Sequence, residues 1–127
     1  MIKAILLVGA GSFAGGVLRF VVGRFLQSSV HSLFPWGTLT VNIAGSFAIG
    51  VLLALSARGT YLSPDWKLFL GAGICGGFTT FSTFSLESLE LLRQGHHLLT
   101  FLYAGSSVVL GLAAAYLGFW LTRLFSA

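Results

Sequence analysis

Residues 71–84 read Gly71-Ala72-Gly73-Ile74-Cys75-Gly76-Gly77-Phe78-Thr79-Thr80-Phe81-Ser82-Thr83-Phe84, four glycines and then four hydroxyls inside an apolar run. Two kinds of chemistry suit such a stretch. Backbone carbonyls released by a broken helix can coordinate a cation, and hydroxyls can replace part of the water around an anion. A continuous helix is poorly served by this composition. Irregular backbone at membrane depth survives only where it is buried in protein or lines a wet cavity. A break near Gly76 to Thr80 is therefore expected, the alternative being a close-packed unbroken helix.

Beyond the break, Thr80, Thr83, Glu87 and Glu90 follow one another at i+3 and i+4 spacing, beside a stripe of Phe81, Phe84 and Ser85. Phenylalanines at this spacing ordinarily pack a core, yet a phenyl ring also carries a positive edge that favours a small, partly dehydrated anion. Earlier in the chain Thr38, Asn42, Gly45 and Ser46 share one helical face. That face serves either a hydrated lining or close packing with hydrogen bonds across helices. Arg19 lies well inside an apolar run, where an ionised group costs several kcal/mol, by order of magnitude, unless it finds water, an interface or a partner. It reads as an anion attractor or as a snorkelling anchor. Tyr103, Ser106 and Ser107 form a further polar strip, with interfacial placement of Tyr103 as the other reading.

Four apolar runs must carry these residues: about Ala4 to Leu26, Phe34 to Ala57, Leu68 to Leu92 and Leu98 to Leu124. Each can span the roughly 20-residue hydrocarbon thickness. The connections, Gln27 to Leu33, Arg58 to Lys67 and Arg93 to His97, are short, so neighbouring spans should be antiparallel. The predicted fold is all-α and integral to the membrane, one domain of four transmembrane helices with the third broken. Lys3 ahead of an apolar stretch imitates a signal peptide, but the stretch is long and reaches Arg19 and Arg24 without a small-residue cleavage site, so cleavage is not expected.

The 127 residues are 56% hydrophobic and 8% charged, with a mean hydropathy of +0.94, against roughly 25% charged residues in a soluble domain. Seven Lys and Arg face three Asp and Glu, but the cations are scattered singly, which excludes a nucleic-acid patch. Lys3, Arg58, Lys67 and Arg123 collect on one side, Arg24 and Arg93 on the other. Such a weak positive-inside bias is compatible with insertion in one orientation or in both. The lone Cys75 permits no intrachain disulfide and reads as a buried structural thiol. His31, His96 and His97 fall in connections without helical metal-ligand spacing. No phosphate loop, dinucleotide fingerprint or nucleophile with His and carboxylate companions is found, so an enzyme is not expected. Four short helices enclose too little interior for both a core and a water-filled path; transport implies an oligomer, most simply a symmetric dimer.

Trp36-Gly37-Thr38 through Asn42 to Gly45-Ser46-Phe47, together with Gly76-Gly77-Phe78-Thr79-Thr80-Phe81-Ser82-Thr83-Phe84 and Glu87, resembles the Fluc/CrcB family of fluoride channels. The resemblance runs the length of the chain and includes Gly15-Gly16-Val17-Leu18-Arg19-Phe20. It implies a multi-pass protein of the bacterial inner membrane, an antiparallel dual-topology homodimer with two fluoride pores and a structural sodium ion on its two-fold axis. In this family main-chain carbonyls hold the sodium, at positions matching Gly76 and Thr79. Phe81 and Phe84 match the aromatic residues whose edges line the fluoride route, and Asn42 the polar residue near them. Ser82 and Thr83 match its hydroxyl track, Glu87 the end of that track and Arg19 a vestibule arginine; Tyr103 and Ser107 are looser matches. Two departures stand out. Gly111 occupies a position where a further hydroxyl is expected, and Phe78 replaces an expected leucine.

The implied activity is passive export of fluoride that protects the cell from its toxicity. Two rivals differ in class. A small multidrug or guanidinium exporter of the same size should carry a glutamate in the middle of its first helix, where this chain has Arg19. A non-transporting scaffold would use Asn42 and the glycines for packing alone.

Overall fold

The computed structural model describes residues 1–57 and 62–125, so that Arg58, one of the cations counted above, lies outside the described residues. Helix α1 spans Ile2–Val30 and α2 spans Trp36–Ala57. A third crossing is assembled from α3 (Pro64–Lys67), a π-helical segment (Leu68–Cys75), α4 (Gly76–Phe78) and, after an interruption, α5 (Phe81–Arg93). Helix α6 spans His97–Phe125. The four crossings are each long and apolar enough to span a membrane.

Helix ends deviate from the hydropathy boundaries where polar side chains satisfy the backbone locally. The first helix runs past Leu26, and in its last turn Ser28 and Ser29 satisfy their own hydroxyls by donating to the Phe25 carbonyl at 3.0 and 2.8 Å. It stops at His31, which turns left-handed with φ 48°. Gln27 then staples the connection. Its amide donates to the Ser32 and Phe34 carbonyls at 2.9 and 3.2 Å, and its Oε1 accepts from the Gly37 N–H at 3.0 Å, capping α2 from ten residues away. The third crossing starts at Pro64 rather than Leu68, since Ser63 accepts from the Trp66 N–H and proline suits the first turn. At the far end Gly95, with φ 84°, lets His96 N–H reach the Leu91 carbonyl at 2.9 Å and closes α5.

Lys3 Nζ stands 2.6 Å from Asp65 Oδ2, so the starts of the first and third crossings lie on the same side, as short antiparallel connections require. Backbones meet where side chains vanish. A Cβ on Gly15 would collide with the Ile74 carbonyl oxygen, and one on Gly50 with that of Ala115. The first contact seats α1 on the π-helical segment; the second seats α2 on α6, its most extensive neighbour.

The core within one chain is small, centred on Leu39, Leu91 and Tyr103 with Phe34, Ile43, Phe84 and Leu99 against it. Cys75 is buried and reduced. Even the most enclosed crossing, Trp36–Ala57, has only 28% of its central window buried. The exposed Phe13, Phe25, Leu53, Phe101 and Leu112 therefore need lipid or another protein surface to cover them. Arg24 and Arg123 fold over the Phe20 and Phe119 rings at 5.7 and 5.6 Å, as cations near helix ends do when they snorkel.

Candidate functional site: an interrupted helix between two cavities

The interruption falls where the glycine and hydroxyl content placed it. The first half of the third crossing ends at Phe78, Thr79 and Thr80 are extended (φ −81°, ψ 158° and φ −151°, ψ 122°), and α5 begins at Phe81. A π-helical stretch ahead of it was not legible in the sequence. It lies where Gly71 and Gly73 weaken the helical preference and where the backbone of α1 touches Gly73 directly.

Side chains take over the backbone groups that the break sets free. Thr80 N–H would meet the Gly76 carbonyl in a continuous helix; instead it donates to Asn42 Oδ1 at 2.8 Å, and Asn42 Nδ2 donates to the Thr80 carbonyl at 3.1 Å. Thr83 N–H would meet the Thr79 carbonyl; it donates to Thr80 Oγ1 at 3.1 Å and so caps α5. The Gly77 carbonyl accepts from Arg19 Nε at 3.2 Å. The Cys75 carbonyl receives both the N–H and the hydroxyl of Thr79, each at 3.0 Å. Gly76 and Thr79 are thereby left with carbonyls whose helical donors have turned elsewhere.

An open cleft of about 490 Å³ runs along this break, lined by Asn42, Ser46, Gly76, Thr79, Thr80, Phe81, Phe84 and Ser107 among others. Among the described residues no carboxylate lines it. The Ser107 hydroxyl is buried without a hydrogen-bond partner, which leaves a donor unspent beside the cleft. Phe81 is 80% exposed, whereas Phe84 is half-buried against Tyr103 at 5.0 Å between ring centroids. The two rings are 5.6 Å apart and tilted at 44°. Core packing thus accounts for part of Phe84 and for none of the exposed face of Phe81.

On the other side of Thr80 lies a second cavity of about 500 Å³, bounded by Arg19, Arg24, Gln27, Thr38, Thr83 and Glu87. Thr80 lines both spaces. A smaller recess of about 230 Å³ adjoins Gln27 and Glu87 and reaches Glu90 and Gln94. Asn42, Phe81, Phe84 and Ser107 are thus brought together in the first cleft, and Arg19, Thr83 and Glu87 in the second. Ser82 is exposed, with its hydroxyl 3.4 Å from that of Thr80. Tyr103 lines none of these three spaces. It is fully buried, which removes the interfacial reading, and its hydroxyl donates to Glu87 Oε1 at 2.9 Å.

Three residues matter more than their sequence signal indicated. Thr80 borders both cavities, Thr38 borders the second of them, and Gln27 walls the second cavity and the recess. Thr38 and Thr80 stood on polar stripes, but Gln27 had the look of an ordinary connection residue. The two departures are absorbed by neighbours. The Phe78 ring lies over Gly45, and the Ser46 hydroxyl stands 3.6 Å from where a Cβ on Gly111 would be, supplying an oxygen on that side. Among the described residues no three His, Cys, Asp or Glu side chains gather as a metal cage. A cation at this site would therefore be held by backbone and hydroxyl oxygens.

Comparison with known proteins bears on the family of the chain. The family described as "CrcB-like protein, Camphor Resistance (CrcB)" matches residues 6–119. A protein of Leptospira interrogans is 42% identical over 123 residues, 97% of each chain. One of Hyphomonas neptunium is 49% identical over 121 residues, 93% of this chain and 94% of its own. One of Thermus thermophilus is 47% identical over 118 residues, 93% of this chain and 92% of its own. All three carry the name fluoride-specific ion channel FluC. With matches over nearly its whole length, this chain belongs to the CrcB-like family of ion channels and is not an enzyme.

Proposed function

We propose that the protein is a fluoride-selective passive channel of the bacterial inner membrane, which lets fluoride leave the cytoplasm down its electrochemical gradient without ATP. The observation that carries this is the cleft holding Asn42, Phe81, Phe84 and Ser107, continued past Thr80 into the cavity of Arg19, Thr83 and Glu87. Fluoride is small and strongly hydrated, so a path selective for it must return what dehydration removes. In the first cleft hydroxyl and amide donors and phenyl edges supply that without a fixed positive charge that would hold the ion too tightly, and the cations Arg19 and Arg24 stand beyond it in the second cavity. Ser82 and Tyr103 belong to this reading through the family resemblance. Ser82 needs a second surface to bring it onto the route, and Tyr103 acts through Glu87.

The conducting unit is an antiparallel dual-topology homodimer. In its support, the cleft is open along one side, Phe81 and Gly76 are exposed on it, and charge gives little orientation preference. A second copy would turn two open clefts into two closed routes. A structural sodium fits between the copies. The Gly76 and Thr79 carbonyls lack their helical donors, and hard oxygen ligands are what an alkali cation needs. When bound, the ion would neutralise the mutual repulsion of carbonyls converging from two chains.

Fluoride-electrode recordings on proteoliposomes should register fluoride efflux with chloride retained. No efflux from a correctly assembled dimer would overturn the channel reading. Crystals soaked in a heavier monovalent cation should give anomalous density beside the Gly76 and Thr79 carbonyls on the two-fold axis, and density elsewhere would overturn the carbonyl assignment.

A further inference from the structure

We infer that Arg19 is a positioning residue, the cap that closes the first half of the broken crossing, rather than a charge that only concentrates anions at the second cavity. This rests on the channel reading for its functional consequence, but its geometry stands apart from any ion. Arg19 Nε donates to the Gly77 carbonyl at 3.2 Å. A continuous helix would have satisfied that carbonyl with Phe81 N–H, which the extended Thr79 and Thr80 carry out of reach. The half-helix consequently ends with orphan carbonyls and the negative end of its dipole at membrane depth. A guanidinium answers both needs, as a donor and as a positive charge.

The surrounding contacts make this bond part of a built interface. Ser12 Oγ donates to the Gly73 carbonyl at 3.4 Å, four residues before Gly77, so one helix supplies side-chain donors to successive turns of the other. Close backbone approach at Gly15 and Ile74, between these two bonds, fixes the distance Arg19 must bridge. The charge is not committed to a carboxylate. Among the described residues the one ion pair is Lys3 with Asp65, and Glu87 across the same cavity bonds to Tyr103. Arg19 therefore holds Gly77 from one side of the break while Asn42 holds Thr80 from the other, with Thr79 between those two supports and Gly76 next to the first of them.

Three substitutions separate the cap from the attractor. In Arg19→Gln, Nε2 sits the same number of bonds from Cα as Arg Nε, so the donor remains and the charge is gone. Arg19→Lys keeps the charge without a donor at that position, and Arg19→Met has neither. Two measurements apply: fluoride efflux against fluoride concentration, and hydrogen exchange at the Thr79 and Thr80 amides. A cap predicts that R19Q keeps maximal flux within about three-fold of the unsubstituted protein, while R19K and R19M lose about ten-fold with half-saturation little changed, the scale of one charge-assisted hydrogen bond. Exchange at Thr79 and Thr80 should accelerate in R19K and R19M and stay slow in R19Q. An attractor predicts the opposite order, with R19K retained, R19Q and R19M alike, half-saturation raised and exchange unchanged; that result overturns the inference. If the unsubstituted channel passes no fluoride, the channel reading fails and the exchange order alone decides the cap. If R19M does not assemble, R19Q against R19K still decides it, because these two differ in which property they keep.

Discussion

Phe81→Ile and Phe84→Ile should each cut fluoride flux by roughly ten- to a hundred-fold, a rise in the barrier of about 1.4 to 2.7 kcal/mol, with the dimer intact. Isoleucine is apolar and branched but has no ring quadrupole, so it fills space without offering a positive edge to the ion. The two variants should differ in stability. Phe81 is 80% exposed and belongs to no core cluster of its own chain, so its replacement should leave the melting temperature of the monomer fold close to that of the unsubstituted protein. Phe84 packs against Tyr103 and the core around Leu39 and Leu91. Its replacement should also cost about 1 kcal/mol of stability, the usual scale for a reshaped core contact. Efflux recordings paired with thermal melts in detergent check both halves. Unsubstituted-level flux in both variants would remove the rings from the route, and equal stability losses would mean that Phe81 is buried in the assembly as Phe84 is in the chain.

That asymmetry marks the boundary of what a linear reading reaches. Run length and hydropathy are local properties, so the four crossings were legible, and so was the interruption, because four glycines and four hydroxyls cannot sustain a helix in lipid. Two helix ends lie four residues beyond their hydropathy boundaries: α1 runs on to Val30 through a turn in which Ser28 and Ser29 satisfy their own hydroxyls, and Ser63 with Pro64 advances the third crossing. For a second class the role itself had no local signal. Gln27 caps a helix that starts nine residues later, and Arg19 meets a carbonyl 58 residues away. Nothing in the spacing around either residue distinguishes an anchor from a cap; only the docking of α1 on the π-helical segment makes that choice. Tyr103 shows the same limit from the other direction. Its polar tip favoured an interface, yet the carboxylate of Glu87 gave that tip a partner inside the bundle and allowed complete burial.

Asn42→Leu should block conduction and destabilise the fold together, and the reason lies in how the asparagine is used. Both ends of its amide are engaged with one residue, accepting from Thr80 N–H at 2.8 Å and donating to the Thr80 carbonyl at 3.1 Å. The pair works as a short piece of backbone ladder that keeps Thr80 extended between the two cavities. Leucine has nearly the same shape but offers no polar atom, leaving a part-buried N–H and C=O without partners at about 1–3 kcal/mol for each group so stranded. The cheapest escape is for Thr80 to return its N–H to the Gly76 carbonyl and re-form the helix, which would close the break, retract a freed carbonyl and move Thr83 off its cap. Asn42→Asp distinguishes this from loss of a direct ion contact. It keeps the acceptor for Thr80 N–H, so the break should persist by hydrogen exchange, while a carboxylate in the cleft should repel fluoride and abolish flux. Unaltered transport in Asn42→Leu would return the residue to packing. Blocked transport with an unperturbed break would instead make the spare amide hydrogen of Asn42 a ligand of the ion itself. The structure favours the first mechanism, because one donor and one acceptor of the Asn42 amide, two of its four hydrogen-bonding positions, are already spent on holding the chain open.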